Sequence, residues 1–405
     1  MIRTIETKQP PRAAAEPRDP ILPPATIGIL GGGQLGRMLA MAARTLGYGI
    51  AVLDPDPECP AAGVADRVVV GRYDDAAAAT ALAAGSAIVT YELEHISASV
   101  VEELEAVLPV RPGGNSLRVT QDRLAERRFL ENAGAAVAPW REVTTEEDIA
   151  TAAATLGFPL RLKAAFGGYD GRSQIRLADA ADVPRALGRL GRPPQTRLLL
   201  ERELEFAAEL SVVVARGVGG ETRAYPVGRN VHDAGILVES VAPAPTAARM
   251  AQRATALATT LAAALDHVGV LTVELFAMPD GSLIVNELAP RVHNSGHWTI
   301  EAAATSQFAQ HVRAICGLPL GSVEMHGAAA TVNLLGTGRD RPARPIGLDT
   351  ALGTDVAVHL YGKRRVFDRR KMGHVTAVSP SGDAEAALAR ARAAASAIAW
   401  ADEAE

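Results

Sequence analysis

Apolar residues in this chain fall into short runs separated by glycine and charged turns, and the rhythm of those runs changes along its length. TIGIL and GIAVLD, from Thr26 onward, are apolar strands with a helical pattern over Leu35–Leu46 between them. DRVVVG and SAIVTYE follow, separated by an alanine-rich helix. Strands alternating with helices predict a doubly wound parallel sheet. Thr120–Ala133 reads as one charged amphipathic helix leading into a second unit. There the pattern turns to hairpins. FPLRLKAAFGGYDGRSQIRLA places two strands around a glycine-rich connection, TRLLLERE is a further strand, and AELSVVVARG with ETRAYPV predicts another pair. A long helix, Ala247–His267, precedes GVLTVELFAMPDGSLIVNELAPR, and residues 321–405 mix short strands with a terminal alanine-rich helix. No internal repeat is visible. The fold class is α/β with α+β: a Rossmann-like unit over 25–122, a larger unit over 123–320 with a smaller part near 134–206, and a small C-terminal unit.

Composition narrows the function classes. The chain has 405 residues, 48% hydrophobic and 21% charged, ordinary for a globular protein with sizeable cores. A net charge of -5 argues against general nucleic-acid binding. Two cysteines, Cys59 and Cys316, make neither a disulfide framework nor a zinc site, which fits a reducing, cytoplasmic setting. No signal peptide and no apolar run long enough for a membrane span is visible. Residues 1–24 carry six prolines and little to bury, so they read as a disordered tail.

Five stretches could carry chemistry. GGGQLG, Gly31–Gly36, followed by Asp54, has the outline of a dinucleotide-binding turn. In the second, Asp280-Gly281 between apolar runs signals a hairpin. If those two residues form the loop, Pro279 faces Ser282 and Glu274 faces Glu287. Like charges directly opposite are destabilising, and a divalent cation such as Mg²⁺ would compensate. A slipped register with both acids on solvent is the competing reading, and a three-residue loop would weaken the argument. The third, KAAFGGYDGRSQ, Lys163–Gln174, can fold backbone amides over phosphates between Lys163 and Arg172, yet no P-loop motif occurs, and a plain turn is the alternative. NELAPRVHNSGHWTIEAAA then crowds Asn286, Arg291, His293, Asn294, Ser295 and His297 before a helix that Thr299 could cap, an arrangement suited to an anion. Finally, six basic residues lie between Lys363 and Lys371, either a solvated surface or a phosphate clamp.

Together and in this order, ILGGGQLGRM, TYELEHI, QDRLAERRFL, FGGYDGRSQ, VNELAPRVHNSGHWTIEA and RKMGH resemble the ATP-grasp ligases, and among them the N5-carboxyaminoimidazole ribonucleotide synthase family of purine biosynthesis. The resemblance covers roughly residues 26–378. It implies three domains, a homodimer, and a reaction joining 5-aminoimidazole ribonucleotide, bicarbonate and MgATP. Carried over residue by residue, it implies Arg123 and Lys163 at the ATP phosphates. Gly168, Tyr169, Asp170, Gly171, Arg172, Ser173 and Gln174 form a closing loop, and Glu201, Arg202, Glu203 and Leu204 lie at adenine. Glu209 serves the ribose, His232 lies near the nucleotide, and Glu274 and Glu287 hold Mg²⁺ beside Asn286. For the ribonucleotide it implies Gln34, Glu92, Tyr169, Asp170, Arg172, Arg291 and His293, with Lys363 and Arg370 on its 5′-phosphate. Asp170 is the candidate to orient or deprotonate the amine, with Arg172, Arg291 and Lys163 assisting catalysis. The glycine turn would then face the ribonucleotide, and Asp54 would only mimic a ribose-binding acid. Three departures stand out: Ser173 replaces a glycine, Phe367 an arginine and Arg369 a glycine of the family pattern. Two other functions stay open, another ATP-grasp ligase or transformylase and an NAD(P)-dependent oxidoreductase.

Overall fold

The computed structural model describes residues 19–168 and 173–402. Thr26–Leu30, Gly49–Asp54, Arg67–Val70 and Ile88–Tyr91 form a parallel sheet in which Thr26–Leu30 lies between Gly49–Asp54 and Ile88–Tyr91. The helix Gln34–Thr45 buries Leu35, Met38, Leu39 and Ala43, the spacing of one helical face. That face shares a core with Phe308, Val312 and Ile315 of the helix Gln307–Ile315, so the first unit is welded to the second by apolar packing.

Two expectations need correction. Ile21 is anchored rather than part of a loose tail: its N–H donates to the Cys316 carbonyl at 2.9 Å and the Tyr48 hydroxyl donates to its carbonyl at 2.6 Å. The rest of the expected tail, residues 1–18, lies outside the described residues. The single helix expected over Thr120–Ala133 is two, Gly114–Gln121 and Arg123–Asn132. Asp122 breaks it, because its carboxylate accepts the Leu124 amide at 2.9 Å and so caps the second helix.

The smaller part of the second unit is a four-stranded antiparallel sheet ordered Trp140–Val143, Leu198–Arg202, Leu160–Ala164, Gln174–Leu177. Alternation puts Leu160, Leu162, Leu198 and Leu200 into a core with Ile149 and Leu187 of two flanking helices. The opposite face carries Lys163 and Glu201. The larger part is a nine-stranded sheet. Its path runs Leu283–Ala289, Gly269–Ala277, Ala208–Arg216, Gly228–Asp233, Ile236–Ala242, Ala328–Leu335, Lys371–Ser379, Ala357–Leu360, and the ninth strand, Thr222–Ala224, pairs with Ala208–Arg216 off that path. The C-terminal strands therefore continue this sheet through the pairing of Ile236–Ala242 with Ala328–Leu335. On one face Leu210, Val212, Val214, Leu271, Val273 and Leu275 pack under the helix Ala248–Ala264. Period two sends Glu209, Glu274 and Phe276 to the other face, toward the four-stranded sheet.

Candidate functional site

The acidic hairpin reaches its expected pairing by a different route. Met278 pairs with Ser282, so the loop has three residues, Pro279, Asp280 and Gly281, with Gly281 at φ +81°. Asp280 accepts from the Ser282 amide and hydroxyl and stiffens the turn. That loop alone would place Glu274 opposite Asn286. A β-bulge at Asn286 takes up one residue, and beyond it Glu274 pairs with Glu287. The bulge also turns Asn286 to the same side, where its amide lies 3.4 Å from Glu274. Burial first and the Glu287 charge second push the Glu274 carboxyl up to about 7.

Glu274, Asn286 and Glu287 line a cavity of about 1110 Å³ between the two antiparallel sheets. Lys163, Gln174, Glu201, Arg202, Glu203, Leu204, Glu209 and His232 line it too. The structure thus gathers the expected nucleotide residues in one place. Their side chains are already engaged. Glu201 is buried and holds Lys163 on one oxygen and the Arg127 Nε, 2.9 Å away, on the other. Burial opposes its charge, but Lys163 and then Arg127 outweigh that and hold Glu201 down at about 2. Glu203 takes Arg161 and Arg176, both at 2.6 Å. His232 pairs with Glu209. Burial lowers its basicity, but the Glu209 bond and the Glu274 charge raise it by more. The far end of the cavity is apolar, with Phe206 stacked on Phe276 at 4.4 Å beside Phe158 and Met278. No periodic pattern marks Phe206 in the sequence, since it lies in a loop.

A second cavity, about 950 Å³, opens beside the first. Gln34, Glu92, Gly168, Arg291, His293, Lys363 and Arg370 line it, which brings together every described residue expected at the ribonucleotide. Arg123, Glu287, His293, Asn294 and Lys371 line both cavities. Lys371 and Asn294 were quoted in motifs but not assigned a role. Tyr169, Asp170, Gly171 and Arg172 lie outside the described residues. Their flanks are informative. A Cβ on Gly168 would sit 2.0 Å from the Arg123 guanidinium, which explains glycine there. Ser173 adopts φ +58°, a conformation glycine favours, and its hydroxyl donates to the Gly167 carbonyl at 3.0 Å.

The glycine turn is filled by the protein itself. Glu92 accepts the Gly33 amide at 2.7 Å and the Gly36 amide at 2.8 Å, while Asp54 accepts Gly32 at 2.8 Å and the Tyr73 hydroxyl at 2.7 Å. A carboxylate therefore occupies the helix N-terminus that a dinucleotide pyrophosphate would need, and Asp54 is engaged by its own turn. The oxidoreductase reading loses its site. The capped helix N-terminus expected at TIEAAA is also absent among the described residues. That helix is only Thr299–Ala302, and Thr299 does not cap it, since its hydroxyl donates to the Gly296 carbonyl at 2.6 Å. Arg291 grips Glu94 through two nitrogens at 2.9 and 3.0 Å, a partner the sequence did not suggest.

The basic run divides its work. Arg364 pairs with Asp56 and Glu58 of the first unit, Arg365 with Asp340, and Arg369 with Asp233. Lys363, Arg370 and Lys371 face the second cavity. Phe367 serves as a shelf, 5.0 Å beneath the Arg370 guanidinium. As for a metal, two facing carboxylates at the meeting of the cavities fit Mg²⁺, which takes one or two carboxylates and completes its shell with phosphate and water. Among the described residues no cluster of three His, Cys, Asp or Glu offers a full protein cage.

Comparisons with known proteins agree with this layout. Family models match in order: a ribonucleotide synthetase preATP-grasp domain over 24–121, an ATP-grasp domain over 128–308, and a phosphoribosylaminoimidazole carboxylase C-terminal domain over 329–389. The chain is 44% identical over 361 residues to an N5-carboxyaminoimidazole ribonucleotide synthase of Brucella melitensis, covering 88% of this chain and 97% of the relative. A solved Thermotoga maritima N5-carboxyaminoimidazole ribonucleotide synthetase is similar with TM-score 0.84 at 37% identity, covering 94% of this chain and 100% of that one. An Aspergillus clavatus synthase in complex with ADP and 5-aminoimidazole ribonucleotide has TM-score 0.83 at 33% identity, covering 92% and 98%.

Proposed function

The chain belongs to the N5-carboxyaminoimidazole ribonucleotide synthase family of ATP-grasp ligases, and on that premise we propose how its two cavities divide the work. It is an ATP-dependent ligase acting on 5-aminoimidazole ribonucleotide in purine biosynthesis. The cavity with the Phe206–Phe276 stack takes ATP, its base at the apolar end and its phosphates toward Lys163 and Arg123. The neighbouring cavity takes the ribonucleotide, its 5′-phosphate on Lys363 and Arg370. Bicarbonate sits where the cavities meet, among Arg123, His293, Asn294 and Lys371. The observation that carries this reading is Glu287, held opposite Glu274 by a bulge and lining both cavities at once.

A bicarbonate oxygen attacks the γ-phosphorus of ATP in line with the departing ADP oxygen, giving carboxyphosphate. Positioning and charge neutralisation supply most of such a barrier reduction. Lys163 and Arg123 neutralise the phosphates, and the buried Glu201 favours the Lys163 ammonium where burial disfavours it. When bound at Glu274 and Glu287, Mg²⁺ supplies Lewis-acid stabilisation of the phosphoryl oxygens. The exocyclic amine of the ribonucleotide then forms a C–N bond to the carboxyl carbon, phosphate leaves, and the amine loses a proton, for which Asp170 is the candidate acceptor. The glycine-rich segment that includes Gly168 and Ser173 shields the intermediate from water. The reading includes a cytoplasmic homodimer. Among the described residues no helix is long and apolar enough to cross a membrane.

The test is incubation with 5-aminoimidazole ribonucleotide, labelled bicarbonate and MgATP. Label should appear in an acid-labile product in step with ADP. ADP formation that ignores bicarbonate but responds to an added carboxylate would assign a different ligase.

A further inference from the structure

Arg369 is one of four described non-glycine residues with positive φ, at +63°. An arginine there is strained, since its Cβ crowds the backbone in a region that glycine enters freely. Its guanidinium crosses from the C-terminal unit to the turn between strands Gly228–Asp233 and Ile236–Ala242. One nitrogen lies 2.8 Å from the Asp233 carboxylate and a second donates to the Asp233 carbonyl. The turn itself is tightly fixed, with Ala234 at φ +45° and Gly235 at +81°. Two features make this place more than a surface ion pair. On the turn's side, Ala234 and Gly235 line the cavity assigned to ATP, and the adjoining His232 is bonded to Glu209 within it. On the other side, Arg369 lines the ribonucleotide cavity and is followed directly by Arg370 and Lys371, which line it as well. The strut therefore has one end on the nucleotide wall and the other on the phosphate clamp.

We propose that the Arg369–Asp233 strut is a positioning contact through which ATP or ADP in the first cavity orders the clamp for the ribonucleotide phosphate in the second. The inference rests on the assignment of the two cavities made above. A nucleotide bonded to His232 and the turn narrows the positions available to Asp233. Asp233 fixes Arg369, and the backbone passes that restraint to Arg370 and Lys371. The ribonucleotide then meets a clamp whose ordering entropy is already lost, which is positive coupling without a change of shape. An exposed ion pair sets the scale. The upper end of its ordinary strength and the low end of ordinary coupling both correspond to about fivefold in affinity.

The experiment measures four dissociation constants by calorimetry: ADP alone, the ribonucleotide alone, and each in the presence of the other. In the unaltered protein each ligand should tighten the other by the same factor, about fivefold. Arg369→Ala, Asp233→Ala and the double variant should all bring that factor close to one, with no further loss in the double. Arg369→Lys should keep part of it. Arg369→Gly, which relieves the strained backbone but removes the strut, should also lose the coupling, and so separates strut from strain. The proposal is overturned if Arg369→Ala keeps the factor, or if the single losses add in the double variant. An unaltered protein that binds both ligands without coupling overturns it too. Absence of any ribonucleotide binding in the unaltered protein would instead overturn the cavity assignment.

Discussion

Glu201→Gln is the most informative single change, because it keeps shape while removing one charge from between two buried cations. Lys163 and Arg127 both point at that carboxylate, and all three residues are less than a tenth exposed. At about 2 instead of 4.5, Glu201 contributes about 3 kcal/mol of stability at neutral pH. Removing one partner of a buried ion pair costs roughly 3–5 kcal/mol by an independent route, because an uncompensated charge is left behind. The sign follows from the depressed folded value. The contribution is complete above pH 4.5 and disappears as pH falls through about 2. Lys163→Met is the contrasting change. It leaves Glu201 paired with Arg127 at 2.9 Å and removes an ammonium that burial already disfavours, so its cost should be smaller than that of Glu201→Gln. Several units in one chain do not unfold as one, so the readout is amide hydrogen exchange in strands Leu160–Ala164 and Leu198–Arg202. Glu201→Gln should raise exchange there by about two orders of magnitude, and Lys163→Met by about one or less. Both should raise the KM for ATP, the first because Lys163 loses the carboxylate that favours its charged form. Unchanged exchange in Glu201→Gln, or a larger effect from Lys163→Met, would refute the view that this acid holds the two cations in place.

Other perturbations test the remaining parts. Glu287→Gln should cut ATP turnover by at least about a hundredfold, while the free protein unfolds no earlier than the unaltered one, since a facing like charge is gone; near-normal turnover would remove the metal assignment. In the free protein Glu274 keeps its proton up to about pH 7, whereas unfolded it loses it near 4.5, so its contribution to stability falls across that window. Glu274→Gln should flatten a melting-temperature profile measured between those values. Lys363→Ala should raise the KM for the ribonucleotide about tenfold and that for ATP less than twofold, consistent with loss of one charged phosphate contact; equal effects would place Lys363 outside the clamp. Gly33→Ala brings a Cβ within 2.5 Å of the Glu92 carboxylate and should cost about 2 kcal/mol or more, seen as a lower melting temperature.

The sequence carried the elements well wherever a local rule decides them. Alternating apolar positions located the strands, and Leu35, Met38 and Leu39 marked the buried face of the first helix. The residues that the family resemblance implies fall together: every described one lines one of the two cavities or, for Ser173, adjoins Gln174 in the second sheet's loop. What the sequence did not show is which charge holds which. Glu94 on Arg291, Glu201 between Lys163 and Arg127, and Asp233 on Arg369 are partners 38 to 197 residues apart, and no periodicity links them. The glycine turn shows the same limit from the other side. Its spacing is that of a dinucleotide site, and only the arrival of Glu92, 56 residues after Gly36, fills it.

The acidic hairpin shows why a correct pairing can follow from an incorrect loop. Asp-Gly between apolar runs favours a two-residue turn, and that turn puts Glu274 opposite Glu287. The chain uses three residues instead, with Asp280 bonded to Ser282 across the turn. Left uncorrected, the shift would point Glu287 away from the cavity, because one residue of slip moves a side chain to the opposite face. The bulge at Asn286 cancels the slip where the two acids begin. The strand's apolar pattern requires it as well: Val285 and Leu288, three residues apart, lie in one core, and without the bulge Glu287 would enter that core in place of Leu288. Ladder hydrogen bonds are lost at a bulge, and the pairing it restores sets two negative charges face to face, so in the free protein the charges work against the burial. A cation and a triphosphate between the acids reverse that balance. The irregularity therefore serves the core and the acids together, and a variant that removes it by shortening the strand keeps Glu287 opposite Glu274. Deleting Asn286 makes the comparison: MgADP binding should weaken only by the loss of the Asn286 amide beside Glu274, and a variant that folds less stably or loses MgADP altogether would show that the bulge itself is needed.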